Sequence, residues 1–261
     1  MLGQERLLKT LTENDFKCIL IIAPRGHGKK HLAREVAKEK GLELKSYEEL
    51  KVGNIRDMID DGQKLRVPTM FLLPDVDNNM TTQAQNASLK FIEEPPKNAT
   101  IVMTAEFSDG VLPTIKSRSK VFTMDVYKPE HLKQFTNDDL LTRVAENPGQ
   151  IKRMETFKAA ELLGLAQKIC ENIGRISAAN VFSILNHADE ENLDLLIPFL
   201  IYVYTERIKE NKDRMKYLLV LAKQLRVIYR YKSMLRSKSI REKQVLELMF
   251  MEMRDIAHEL L

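Results

Sequence analysis

The chain has 261 residues, 44% hydrophobic and 30% charged, which is enough to bury a sizeable core and excludes a disulfide-stapled mini-protein. Lysine and arginine total 41 against 37 aspartate and glutamate, and the resulting formal charge of +4 argues against a dedicated nucleic-acid coat protein. Cys18 and Cys170 are the only cysteines; they lack the paired spacings of a zinc site or disulfide framework and read as buried thiols of a reducing compartment. The longest apolar runs, residues 18–23 and 195–204, fall short of the roughly 20 residues that cross a bilayer, and residues 1–15 are polar where a secretory signal would be apolar. A cytoplasmic protein without membrane contact is expected.

In chain order, the first half alternates short apolar runs with amphipathic stretches. A strand over residues 18–23 (CILIIA) is followed by a helix over 31–40, a strand running through 69–77 (TMFLLPDVD), a helix over 81–94, and strands over 100–107 and 120–126. This alternation predicts an α/β domain with a mainly parallel sheet, covered by helices on both faces. After Tyr127 the β-branched runs disappear. The remainder is rich in Leu, Met, Lys and Glu at helical spacing, as in Leu218, Leu219, Leu221, Ala222 and Leu225, and predicts helices only. A break at Asn147-Pro148-Gly149 separates a small helical unit from a larger one. The expected divisions are an α/β P-loop domain over 1–126, a helical lid over 127–157 and a helical oligomerisation collar over 158–261.

The segment Ala23-Pro24-Arg25-Gly26-His27-Gly28-Lys29-Lys30 follows the first strand and opens a helix, the context of a phosphate-binding loop. Glycines there turn backbone N–H groups toward phosphate oxygens, the helix N-terminus adds partial positive charge, and Lys29 reaches the outer phosphates. Two positions depart from the pattern: alanine replaces the first glycine, and Lys30 stands where a Ser or Thr hydroxyl would hold magnesium. The strand over 69–77 ends in Asp75, the acid that holds magnesium in P-loop ATPases, while Val76 occupies the place of the glutamate that polarises the attacking water. A valine cannot orient water. On a continuing strand Asp77 would face the same side as Asp75 and is the alternative acid.

Two further segments, Asn86-Ala87-Ser88-Leu89-Lys90-Phe91-Ile92-Glu93-Glu94-Pro95-Pro96 and Leu112-Pro113-Thr114-Ile115-Lys116-Ser117-Arg118-Ser119, resemble two signatures of the bacterial or phage DNA polymerase III clamp-loader subunits of the AAA+ family. Gly3-Gln4, Gly53-Asn54-Ile55-Arg56 ahead of the second helix and Asn147-Pro148-Gly149 extend the resemblance, which covers the first 150 or so residues. Lys30 and Val76 make the chain look most like the delta-prime subunit, whose own nucleotide site is typically defective. The sensor positions agree: the first falls near Ala105, with the polar Thr104 one place off, and the second on Gln150, which carries no charge to stabilise a γ-phosphate.

The resemblance implies that Arg118 projects toward the ATP of an adjacent subunit and stabilises the charge developing on its phosphoryl group. It also implies tau/gamma-like and delta-like partner subunits, with the sliding clamp and primer-template DNA within the complex. ATP is expected to bind weakly or not at all to this chain, without intrinsic turnover. No zinc is expected, because residues 38–68 hold no cysteine and a thiolate site needs four ligands.

The basic stretch Arg226, Tyr229, Arg230, Tyr231, Lys232, Arg236, Lys238, Arg241 and Lys243 has two readings, contact with DNA phosphates or a solvated helix face. Two other functions stay open at this point: an active tau/gamma-like ATPase that uses Asp77, and a nucleic-acid-binding adaptor.

Overall fold

The computed structural model describes residues 3–156, 159–175, 194–235 and 242–260, and the chain divides into two compact units, Met1–His131 and Leu132–Leu261. In the first unit, β1 (Cys18–Ile22), β2 (Glu43–Ser46), β3 (Thr69–Leu73), β4 (Ala99–Ala105) and β5 (Lys120–Thr123) form one sheet in the order β2-β3-β4-β1-β5. Every pairing is parallel. The helices are α1 (Glu5–Glu13), α2 (Lys29–Glu39), α3 (Val52–Gln63), the short α4 (Val76–Asn79), α5 (Thr82–Glu93) and α6 (Pro113–Arg118).

Apolar strands of this kind must bury both faces, and the period of two sorts their side chains accordingly. Leu20, Phe71, Leu73, Ile101 and Met103 join Ile55 and Met58 of α3 and Phe91 and Ile92 of α5 in one core. Ile19, Ile21, Met70, Leu72 and Val102 join Leu7 and Leu11 of α1 and Leu32 and Val36 of α2 in the other.

Two local expectations are corrected. The strand expected over 69–77 stops at Leu73, because Asp75 takes a left-handed conformation (φ 51°) and starts α4. The helix after the phosphate-binding loop begins at Lys29, two residues before the expected start. A helix not expected from the sequence, α3, contains Gly53-Asn54-Ile55-Arg56, and burial of Ile55 and Met58 there outweighs the poor helix propensity of glycine and asparagine.

A single helical turn, α7 (Pro129–Leu132), leads out of the first unit. The second unit contains α8 (Asp139–Val144), α9 (Pro148–Thr156), α10 (Ala159–Asn172), α11 (Leu196–Glu210), α12 (Met215–Met234) and α13 (Glu242–Leu260), and no strand among the described residues. Phe199, Tyr204, Ile228, Leu246, Met249 and Phe250 are buried in it. The buried Gln224 of α12 donates from Nε2 to the Met253 carbonyl of α13 at 2.8 Å, and Arg153 grips Asp194 through Nη1 and Nη2 at 2.8 and 2.7 Å. Among the described residues no helix is long and apolar enough to cross a membrane.

Gly62 of α3 is buried against α5. A Cβ there would meet Phe91 Cε2 at 2.5 Å and Cζ at 2.8 Å, and the Phe91 ring is itself held edge-on to Phe71 at 5.5 Å. Gly62→Ala would gain about 1 kcal/mol of helix propensity and lose about 1–3 kcal/mol by overpacking. A net loss of up to about 2 kcal/mol is expected by urea denaturation, relieved when Phe91→Leu is added.

Candidate functional site

Because the strands are parallel, β1, β3 and β4 all end at one edge of the sheet, and the segments that leave them meet there. Ile22 lies beside Ala105, and Leu73 beside Met103. After β1, Gly26 and Gly28 take positive φ of 88° and 85°, which lets residues 24–28 turn tightly into α2. His27 is buried in this turn: its ring meets Tyr127 edge-on at 5.7 Å, and its carbonyl accepts from the Tyr127 hydroxyl at 3.0 Å. The Arg25 N–H donates to Glu106 Oε1 at 3.2 Å.

Lys29 does not extend outward. It is buried, donates from Nζ to the carbonyls of Ala23 at 2.8 Å and Pro24 at 3.4 Å, and lies 3.9 Å from Asp75 Oδ1. Burial holds its ammonium below the ordinary lysine range, and the charge of Asp75 opposes that shift. Lys30 approaches the same carboxylate from the other side, with Nζ 3.7 Å from Asp75 Oδ2 and 3.0 Å from Glu48 Oε2. The bond from Lys30, with a second from Ser46, holds the Glu48 carboxyl below the usual range. A magnesium ion held as in P-loop ATPases requires a hydroxyl oxygen at position 30 beside the carboxylate at position 75. An ammonium supplies no oxygen and adds positive charge, so this donor set does not fit a divalent cation bound in that way.

The other acids and the sensor-like residue have partners of their own. Asp77 is fully buried in α4, and its Oδ2 accepts from the backbone N–H of Glu106 at 3.1 Å and of Phe107 at 2.8 Å. The expectation of two acids on one strand face is therefore corrected: Asp77 anchors the chain after β4. Thr104 Oγ1 accepts from the Asp75 N–H at 2.9 Å and so fixes the left-handed residue that carries the site's outer carboxylate. Glu106, which the motif reading passed over, is raised by burial, opposed first by the Arg25 N–H and then by Lys29. Its position immediately after an apolar strand was the available signal; Glu48 offered none. Gln150 lies in the second unit, where Oε1 accepts from the Glu146 N–H at 2.7 Å and its own N–H donates to Asn147 Oδ1 at 2.9 Å, so that Asn147 caps the start of α9.

Arg118 is the last residue of α6. Its Nε donates to Glu93 Oε2 at 3.0 Å and its Nη1 to the Thr114 carbonyl at 3.2 Å. The next residue, Ser119, donates to the Ile115 carbonyl at 2.8 Å, and its Oγ lies 3.3 Å from Cys18 Sγ. Burial pushes the Cys18 thiol up to about 11, which marks it as an inert packing group. In the second unit the basic stretch is partly neutralised: Arg230 and the Tyr231 hydroxyl both engage Glu252, Arg230 lies over the Tyr231 ring, and Lys232 pairs with Glu146. Arg236, Lys238 and Arg241 lie outside the described residues.

The anchoring role of Asp77 has a measurable consequence. Asp77→Ala leaves the Glu106 and Phe107 N–H groups without that acceptor and is expected to cost about 2–3 kcal/mol in urea denaturation. Asp77→Asn keeps an oxygen in place and should cost less than half of that, whereas an acid serving only chemistry would leave stability unchanged in both variants.

Residues 9–128 match the family model described as DNA polymerase III, delta subunit. The replication factor C small subunit of Thermoplasma volcanium is 25% identical over 190 residues, 68% of this chain and 58% of that protein; the chain thus spans less than two thirds of that relative's length. The same subunit of Methanothermobacter thermautotrophicus is 21% identical over 243 residues, 85% of this chain and 74% of that protein. A solved structure of a DNA polymerase III gamma subunit-related protein from Thermotoga maritima aligns over 98% of this chain and 99% of its own, at 19% identity and a TM-score of 0.46. Over residues 9–128, somewhat less than half of the chain, the sequence is thus similar to the DNA polymerase III delta subunit family.

Proposed function

We propose that the chain is a delta-prime-like clamp-loader subunit whose own nucleotide site does not turn over ATP and whose Arg118 serves the ATP of a neighbouring subunit. The observation that carries this reading is the Lys30 ammonium 3.7 Å from Asp75 and 3.0 Å from Glu48. It sets a positive charge against the carboxylate that would otherwise bind magnesium, and Val76 leaves no acid to orient water. Thr104 and Gln150, the sensor-like residues, spend side-chain oxygens on backbone N–H groups, which further supports a silent site. ATP, if bound, is held weakly and without chemistry.

Arg118 supports the second half of the proposal. Its side chain is 34% exposed and sits at the end of a helix, where a guanidinium can reach beyond its own chain. The division of residues 127–261 into a lid over 127–157 and a collar over 158–261, the tau/gamma-like and delta-like partners, the clamp and primer-template DNA in the complex, and a cytoplasmic location belong to the same proposal. The internal pairing of Arg230 and Lys232 favours a structural helix face over a stand-alone DNA adaptor.

The test is ATP hydrolysis, stimulated by DNA and clamp, in complexes reconstituted with wild-type, Arg118→Ala and Arg118→Lys protein. An arginine supplied in trans is worth about 10³ to 10⁵ in rate at the site it serves, so turnover at that site should collapse with Arg118→Ala while assembly persists. Arg118→Lys should not restore it, because an ammonium lacks the planar fork that engages two phosphate oxygens. Equal rates for all three, with assembly confirmed by gel filtration, would leave Arg118 as surface charge.

A further inference from the structure

We propose that Glu93 is a positioning residue for Arg118, holding its guanidinium by one edge so that the opposite edge is presented to the phosphate of a neighbouring subunit. The inference rests on the trans-acting role proposed for Arg118.

The sequence fixes both partners at helix ends. Pro95 disfavours helical geometry at the residue before it, and Glu94 accordingly leaves the helix with ψ 70°, making Glu93 the last residue of α5. Arg118 ends α6 because Ser119 turns to an extended conformation, tied down by its bond to the Ile115 carbonyl. The two helix ends thus set Glu93 against Arg118 across 25 residues of chain, with Nε and Oε2 3.0 Å apart.

The donor count gives the pair its purpose. A guanidinium has five N–H donors. Nε–H goes to Glu93 and one Nη1–H to the Thr114 carbonyl, and no further partner is found among the described residues. Three donors on Nη1 and Nη2 remain, enough for the two parallel bonds of a bidentate phosphate contact. A carboxylate taking both Nη groups would have consumed that face. The pair is also exposed, at 34% for Arg118 and 55% for Glu93, and exposed pairs contribute little to stability, so its effect lies in restricting a long, flexible side chain before the phosphate arrives.

Two measurements test this. In the isolated chain, the Arg118 Nε–H resonance in ¹⁵N nuclear magnetic resonance should be protected from solvent exchange, lose that protection in Glu93→Ala and keep it in Glu93→Gln, whose oxygen still accepts. In the reconstituted complex, Glu93→Ala should lower kcat by about 3-fold to 100-fold with KM for ATP and assembly unchanged; Glu93→Gln should recover most of the rate; and Glu93→Ala should add nothing to Arg118→Ala. If Arg118→Ala lowers turnover but Glu93→Ala does not, or lowers it equally in the Arg118→Ala background, the positioning role is overturned and the trans role stands. If Arg118→Ala itself has no effect, the trans role falls and this inference with it.

Discussion

A sheet whose five strands all run parallel delivers its carboxyl ends to one edge, and the rest of the first unit is arranged around that constraint. In open parallel sheets the crevice beyond the strand ends is where ligands bind. Here the phosphate-type loop leaves β1, Asp75 follows β3 and Glu106 follows β4, so residues spread over some eighty positions of chain come within hydrogen-bond reach. The register is held by two apolar cores, one on each face, which is why β1, β3 and β4 carry few polar side chains and why the polar chemistry gathers past their ends.

What gathers there is electrostatically self-satisfied. Asp75 faces the ammonium groups of Lys29 and Lys30, Glu48 adds a second carboxylate to Lys30, and Glu106 accepts from the loop's Arg25 N–H. Lys29, the residue that would engage the outer phosphates, is instead buried against the carbonyls of its own loop. Such a cluster stabilises the loop without a ligand, which supports the proposal that ATP is held weakly here. On the proposed reading the function passes to the end of α6, where Arg118 is held by Glu93 and the Thr114 carbonyl.

Much of this was legible from the sequence. β1, β3 and β4 announce themselves because a strand buried on both faces must be apolar throughout, and the loop glycines sit where positive φ is needed. β2, with the sequence ELKS, was not legible, since a half-exposed strand at the sheet edge needs no apolar run. The role of Asp77 was misread because a strand was extended through Pro74 and Asp75; a proline followed by a residue that tolerates the left-handed region marks the end of a strand. Gly53 and Asn54 concealed a helix whose formation depends on burying Ile55 and Met58. Lys30 with Glu48, and Arg118 with Glu93, are pairings across 18 and 25 residues, and no local pattern encodes contacts that only the packed fold brings about.

The Lys30 ammonium stands where a metal-binding hydroxyl would be. The most direct test is ATP binding and phosphate release by the isolated chain, measured in parallel with magnesium and with EDTA, for wild-type and Lys30→Thr protein. The predicted result is weak or undetectable ATP binding by the wild type, indifferent to magnesium and without phosphate release, with a magnesium-dependent gain in affinity appearing only in Lys30→Thr. Magnesium-dependent binding by the wild type, or turnover near the ~1 per second typical of phosphoryl-transfer enzymes, would contradict it.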